Sequence, residues 1–158
     1  MNTEPEFEKL VPTDEMTGED EEDSSKLRTH LQEARAYLRK FPWCLGIRRE
    51  FFGLGVGGVV GVFLFELDST SDADGRLWVI TGDLPSAYLV TDQAPTPMDA
   101  LGIYCGLMDD WIRAVRENGN VSDVFPVESA ATRKNADLLE KRIRFLREEI
   151  IPAFSLDS

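Results

Sequence analysis

Hydrophobic residues recur at helical spacing in three segments of this chain. In the first segment the apolar positions are Leu27, Leu31, Ala34, Leu38 and Phe41. A spacing of three and four residues places such side chains on one face of a helix. Ser24 or Ser25 can cap the first turn, and Pro42 cannot continue the helix. The pattern therefore predicts a helix from about residue 24 to about residue 41.

The second helix has the clearest start signal. Thr96 offers a capping oxygen, Pro97 suits the first helical position, and Asp99 follows three residues after the cap. From there to about residue 118 one apolar stripe comprises Leu101, Tyr104, Met108, Trp111 and Val115. Such a stripe is typical of a helix packed on a sheet, so we expect Trp111 to be buried there. A third helix is predicted from roughly residue 131 to residue 151, where Pro152 ends it.

Three segments between the first two helices have the composition of β-strands. The first runs from Gly53 to Leu67, and its glycines predict bends or bulges within one strand. The second runs from Arg76 to Gly82 and the third from Ala87 to Thr91, each after a turn-forming segment. The sequence therefore predicts a two-layer α+β domain, in which an antiparallel β-meander of about three strands packs on helices from both ends of the chain.

Acidic residues are concentrated near the N-terminus. Residues 1–24 hold ten of the 29 acidic residues but one of the 17 lysines and arginines, so most of the net charge of −12 lies there. Few large apolar residues accompany them, and such a composition does not bury enough surface to offset the entropy of ordering. We expect residues 1–24 to be a disordered acidic tail and residues 25–158 to be a single α+β domain.

The composition also bears on location and partners. No apolar run reaches the roughly 18 residues that cross a bilayer, and the first residues lack the pattern of a secretory signal. We therefore expect a cytoplasmic protein without a membrane partner. Basic residues form no stripe with interleaved aromatic residues, which disfavours nucleic acid. Cys44 and Cys105 lie far apart in apolar contexts, so we expect buried, reduced thiols.

The chain carries no strong catalytic motif. The segment from Gly53 to Gly58 fits the letters of G-x-G-x-x-G, but a strand is predicted where the phosphate site needs a helix. His30 is the only histidine, and without a second ligand at suitable spacing it is expected at a surface or boundary position. We therefore expect no catalytic residue, metal or cofactor, and enzymatic activity is left open.

Aromatic and basic residues around residue 48 form the best candidate for a ligand site. Arg48 and Arg49 can hold an anionic group or the chain's own carboxylates, and internal ion pairs are the preferred interpretation. The alternative is a ligand site formed by Trp43, Arg48, Arg49, Trp78, Asp83 and Tyr88. Asp83 also has a structural interpretation, because an aspartate after Gly82 can accept backbone N–H groups of a turn.

The segment from Leu77 to Tyr88 carries the string W-V-x-x-G-D-L-P-x-A-Y. Further matching positions are Met108, Asp109, Asp110 and Trp111 in the second helix and Ala136, Leu139, Arg142 and Leu146 in the third. Together these residues resemble a family of small bacterial proteins of unknown function, over roughly residues 25–151. The resemblance implies no activity, cofactor or catalytic residue.

The sequence leaves two functions open. The missing catalytic constellation, and an acidic tail that can meet a basic partner, favour a non-catalytic protein-interaction module, an adaptor or neutralising protein of a bacterial cytoplasm. The alternative is a small-ligand-binding protein or an enzyme, with its site around the six residues named above. The first function implies a protein partner, and no sequence feature specifies an oligomeric state.

Overall fold

The computed structural model describes residues 10–69, 75–117, 120–127 and 129–155. Contacts divide the chain into two compact units, Met1–Ala100 and Leu101–Ser158. The expectation of a single domain over residues 25–158 stays a prediction.

The first unit contains a five-stranded antiparallel sheet whose strands are neighbours in chain order. The strands are β1 (Val11–Pro12), β2 (Cys44–Val56), β3 (Val60–Ser69), β4 (Arg76–Gly82) and β5 (Ala87–Val90). This confirms the predicted α+β class and the antiparallel meander, with five strands rather than about three.

The segment from Gly53 to Leu67, predicted as one bent strand, is a hairpin that joins the end of β2 to β3. Gly58 in its turn has a φ of +81°, which glycine adopts without strain. The Val59 N–H donates to the Val56 carbonyl at 3.0 Å and closes the turn. The run of glycines therefore marks a reversal of the chain, where the sequence had predicted bulges within a single strand.

Helix α1 spans Glu21–Arg39 and begins before the serines that were predicted to cap it. Asp20 is the N-cap, and its Oδ1 accepts the Asp23 N–H at 2.8 Å. Acidic residues in the first turn also interact favourably with the positive end of the helix dipole. Acids that were assigned to a disordered tail therefore start a helix.

The sheet also extends into the predicted tail. In β1, Val11 pairs with Phe52 and Pro12 pairs with Phe51 of β2. The expectation of disorder is therefore corrected for residues 10–24, which form a short strand, a 3₁₀ turn and the start of α1. Residues 1–9 lie outside the described residues.

Helix α1 packs one face on the sheet. Its buried residues include the predicted Leu27, Leu31, Ala34 and Leu38, together with Tyr37. They share one core with Phe63, Phe65, Leu67, Leu77 and Val79 of the strands. Complete burial of one large apolar side chain contributes about 1.5–3 kcal/mol. This contact fixes α1 beside the sheet and so determines which of its other side chains lie next to β2.

The remaining helices are α2 (Pro97–Glu117), α3 (Arg133–Phe145) and α4 (Ile151–Ser155). Thr96 caps α2 as predicted, since its Oγ1 accepts the Asp99 N–H at 3.0 Å. Trp111 is buried, whereas its expected packing on the sheet stays a prediction. None of the helices in the described ranges has the length and apolarity that a membrane span needs.

The last helix continues past the proline that was predicted to end it. A π-helical turn, Leu146–Ile150, connects α3 to α4, and Pro152 is the second residue of α4. The Ile151 N–H donates to the Leu146 carbonyl, so the helix runs without interruption through the π-helical turn into α4. The prediction that Pro152 ends the helix is therefore wrong.

Candidate functional site

An open groove of about 790 Å³ lies between α1 and β2 in the first unit. Its arginines are Arg28, Arg35, Arg39, Arg48 and Arg49. Two carboxylates, those of Asp14 and Glu50, also line it. Positive charge therefore dominates this groove, although the chain as a whole has a net charge of −12.

One wall of the groove is a stripe along α1. It comprises Arg28, Leu31, Gln32, Arg35 and Arg39. Residues three, four and seven apart lie on one face of a helix. The adjoining face, which includes Leu27 and Leu38, is buried against the sheet. The arginines are therefore held at the margin of that packed contact, where their guanidinium groups reach the groove.

The other wall consists of the consecutive residues 47–51 of β2. Pairing with β3 is irregular here, because Ile47 lies opposite Leu67 and Arg49 opposite Glu66. The residue between them is extra, which makes a β-bulge. The bulge interrupts the alternation of side chains, but after it Arg49, Glu50 and Phe51 pair regularly and point to opposite faces of the sheet in turn. A groove that these three residues line together therefore reaches the edge of the strand.

Glu50 is the carboxylate that organises the groove. The Arg35 Nε and Nη2 donate to it at 2.6 and 2.5 Å, and the Thr13 Oγ1 donates at 2.8 Å. Burial acts to raise the pKa of Glu50, but the hydrogen bonds from Arg35 and Thr13 outweigh it, and the pKa is lowered. Glu50 therefore stays ionised at neutral pH and holds Arg35 in place.

The two arginines that the sequence singled out bind the chain's own carboxylates. The Arg49 Nε and Nη2 donate to Glu66 at 2.6 and 2.8 Å, and the Arg48 Nε lies 3.4 Å from Asp68. These contacts confirm the preferred interpretation of internal ion pairs. The side chains of Arg48 and Arg49 are 67% and 61% exposed, and exposed ion pairs contribute little stability. Arg48, whose partner Asp68 is also exposed, can therefore turn to another carboxylate, whereas Arg49 is held by the largely buried Glu66.

Arg39 and Arg28 make weaker contacts with carboxylates of the chain. Arg39 has no ion-pair partner among the residues that the structure describes, and its charge helps to lower the pKa of Glu50. Arg28 pairs with Glu21 at 3.1 Å, and the two side chains are 51% and 88% exposed. Among the described residues, no buried carboxylate binds the guanidinium group of Arg28 or Arg39. Both groups are therefore available to a ligand in the groove.

The six residues of the predicted ligand site do not come together. Trp78 is buried, and its indole N–H donates to the Ala94 carbonyl at 2.6 Å. Tyr88 lies opposite Val79, the next residue of β4, so Trp78 and Tyr88 point to opposite faces of the sheet. Tyr88 packs instead with Trp43, at 5.4 Å between ring centroids.

Asp83 lies in the exposed turn after β4, where its N–H donates to the Val59 carbonyl at 3.0 Å. The turn role of its side chain stays a prediction. Of the predicted site, the structure therefore brings Trp43 together with Tyr88 and places Arg48 and Arg49 in the groove.

His30 is buried, which corrects its expected position at a surface or boundary. Its Nε2 accepts the Gly58 N–H at 2.9 Å, so Nδ1 carries the proton that it donates to Glu33 at 2.9 Å. The imidazole therefore ties α1 to the turn of the β2–β3 hairpin. Within the described ranges, no three His, Cys, Asp or Glu side chains gather in a way that could hold a metal ion.

The arginines of α1 were missed as site residues by sequence reasoning. Arg28, Arg35 and Arg39 recur on one helical face, which is a visible signal, but the same spacing is typical of any solvated face. These arginines line a groove only because β2 lies beside α1.

Comparisons with protein-family models, with curated proteins and with solved structures find no match for this chain. The resemblance carried by the segment from Leu77 to Tyr88 stays a prediction.

Proposed function

We propose that this chain is a non-catalytic protein-interaction module of a bacterial cytoplasm, which binds an acidic segment of a partner protein between α1 and β2. The observation that carries the proposal is the groove lining, where five arginines face two carboxylates. A planar guanidinium donates paired hydrogen bonds to a carboxylate, and arginine is enriched where proteins recognise this group.

The state of the lining residues supports binding over catalysis. Glu50 already accepts hydrogen bonds from Arg35 and Thr13, and its lowered pKa makes it a poor proton donor at neutral pH. Arg28 and Arg39 have donors to offer to an external carboxylate. Arginine is also among the residues that most often carry the binding energy of protein interfaces.

An acidic peptide suits the groove better than a nucleic acid does. Nucleic-acid affinity comes mainly from neutralising many phosphates along an extended basic surface. The net charge of −12 repels such a polyanion, whereas a short peptide with a few carboxylates experiences less repulsion.

The first experiment measures binding of a short, fluorescently labelled peptide rich in glutamate by anisotropy, with the corresponding glutamine peptide as its control. We expect Arg39→Gln to weaken the glutamate peptide roughly tenfold or more, because a charge-assisted hydrogen bond contributes about 1.5–3 kcal/mol. Arg113→Gln in α2 is the matched control, since Arg113 is an exposed arginine whose loss changes the net charge equally.

Both variants should stay folded, because Arg39 acts in the fold chiefly through the dipole at the end of α1, which is worth about 0.3–1 kcal/mol. No binding of the glutamate peptide, or equal weakening by the two variants, would show that the groove is not the site. A thermal-shift response to inorganic phosphate or a small dicarboxylate, without peptide binding, would favour the small-ligand alternative instead.

A further inference from the structure

We propose that the acidic segment binds as an added β-strand along the edge of β2, with its carboxylates directed at the arginines of α1. This inference rests on the proposed function, because it specifies the conformation of the partner in the same groove. Strand addition is a common mode of peptide recognition, in which backbone hydrogen bonds give affinity and alternate side chains give specificity.

The first observation is an uncovered strand edge. β2 spans Cys44–Val56, but β1 pairs with Phe51 and Phe52 alone. β1 is the outermost strand on this side of the sheet. Among the described residues, no strand therefore pairs with residues 44–50 on the side of β2 that faces away from β3. An edge of this kind presents N–H and C=O groups that can pair with another chain.

The second observation is that the groove and the edge coincide. Residues 47–51 all line the groove, and Arg49 and Glu50, which follow the bulge, point to opposite faces of the sheet. A ligand that touches both of them must lie beside the backbone. Pro12, which ends β1, and Thr13, which begins the 3₁₀ turn after it, line the groove as well, so an added strand would continue the row that β1 begins.

The third observation is the agreement of length and charge. Arg28 and Arg39 are separated by a rise of about 17 Å along α1 at about 1.5 Å per residue. In an extended segment the first and fifth residues lie about 13 Å apart at about 3.3 Å per residue, and the long side chains of arginine and glutamate can cover the difference. Carboxylates at alternate positions of one strand share a side, so such a segment can present acids to both arginines at once.

The test uses two peptides of one sequence, with glutamate at alternate positions and threonine or valine between them. One has an ordinary backbone, and the other is N-methylated at the intervening residues, which removes backbone donors and keeps every charge. We expect N-methylation to weaken binding roughly tenfold or more, because several backbone hydrogen bonds are lost.

Amide exchange of the whole protein provides the second readout. With the ordinary peptide bound, the amides among residues 47–50 that do not face β3 should gain protection. Residues 87–90 of β5, at the opposite edge of the sheet, are the internal control and should not change.

The outcomes separate this inference from the function on which it rests. Equal affinity of the two peptides, without new protection in β2, would overturn strand addition and leave the acidic-peptide function standing. Failure of both peptides to bind would overturn the function and the inference together. Tighter binding of a single-stranded RNA of equal charge, with protection of the same amides, would overturn the choice of a peptide as the occupant.

Discussion

At the scale of single residues, the pair of Glu50 and Arg35 decides how much of the groove is open to a partner. Glu50 is 15% exposed and Arg35 is 34% exposed, so water screens their hydrogen-bonded contact in part. Because this pair is satisfied within the chain, a partner carboxylate meets Arg28 and Arg39 first. The division between satisfied and available arginines is what gives the groove a binding role.

Glu50→Gln tests the structural part of this arrangement. The variant keeps an acceptor oxygen but loses the charge, and we expect the free energy of unfolding to fall by about 1–2 kcal/mol at neutral pH. Urea unfolding measures the change. Glu149→Gln, at an exposed position of the π-helical turn, is the control and should change little.

The pH dependence of that difference has a definite sign. The pKa of Glu50 is lowered in the folded chain from its ordinary value of 4.5, so its stabilisation is fully present above that value. It is lost as the pH falls through the lowered folded-state pKa, because the native carboxylate then takes up its proton. The gap between wild type and Glu50→Gln should therefore shrink on acidification below about pH 4.5, and a gap that stays constant would contradict the ion pair.

The two thiols differ in a way that labelling can detect. Cys105 is buried, and burial raises its pKa to about 11, whereas Cys44 is half-buried. At about pH 8 only about one in a thousand Cys105 side chains is then the reactive thiolate. In native protein we expect a maleimide reagent to modify Cys44 and to modify Cys105 only after denaturation. Equal rates in the native state would mean that Cys105 is accessible.

At the scale of elements, glycines fix the geometry of the β2–β3–β4 meander. Gly82, at the end of β4, has a φ of +141°, and a Cβ there would meet the Val59 carbonyl oxygen. The Asp83 N–H donates to the same carbonyl. The close approach of these two chain segments therefore requires a glycine and holds the end of β4 against the hairpin.

Gly82→Ala should lower the free energy of unfolding by about 1–3 kcal/mol, because it adds backbone strain and a clash at the same position. Gly106→Ala is the matched control, since Gly106 lies inside α2, where a Cβ meets no described atom within 4 Å. That control should be more stable by about 0.5–1 kcal/mol. Thermal unfolding with a similar melting temperature for both variants would contradict the proposed role of Gly82.

Elements were predictable where one local signal dominates. The cap and proline at Thr96 and Pro97 placed the start of α2, and the valine-rich and aromatic segments indicated the strands of a meander. The start of α1 was misplaced because Asp20 competes with Ser24 as a cap, and both are good cap residues. The hairpin turn at Gly58 was missed because glycine suits both a bulge and a turn, and pairing with a distant strand decides between them.

The candidate site was only partly accessible from the sequence. Arg48 and Arg49 stood out beside aromatic residues, and the prediction that they bind internal carboxylates is confirmed by Glu66 and Asp68. Arg39 lines the groove only because α1 packs beside β2. That packing is determined by buried contacts between residues far apart in the chain. Local spacing carries no information about that docking.

At the scale of the whole molecule, the groove is a small basic region on an acidic protein. The net charge is −12, whereas the groove lining carries five arginines and two carboxylates. An acidic partner is therefore repelled at long range and attracted at contact. The two effects act over different distances, and salt screens the longer-range one first.

Long-range repulsion and attraction at contact together predict how ionic strength changes the association and dissociation rate constants of peptide binding. Raising the ionic strength from about 0.01 M to about 0.15 M shortens the screening length from about 30 Å to about 8 Å, which removes most of the long-range repulsion. We therefore expect the association rate constant of the glutamate peptide to increase with salt. The dissociation rate constant should also increase, because contacts with exposed arginines such as Arg39 are weakened. Stopped-flow measurements resolve both constants, and the glutamine peptide, which lacks the charge, should show a constant association rate. An association rate constant that instead falls as salt is added would show that the field of the arginines extends beyond the groove and steers the partner despite the acidic surface.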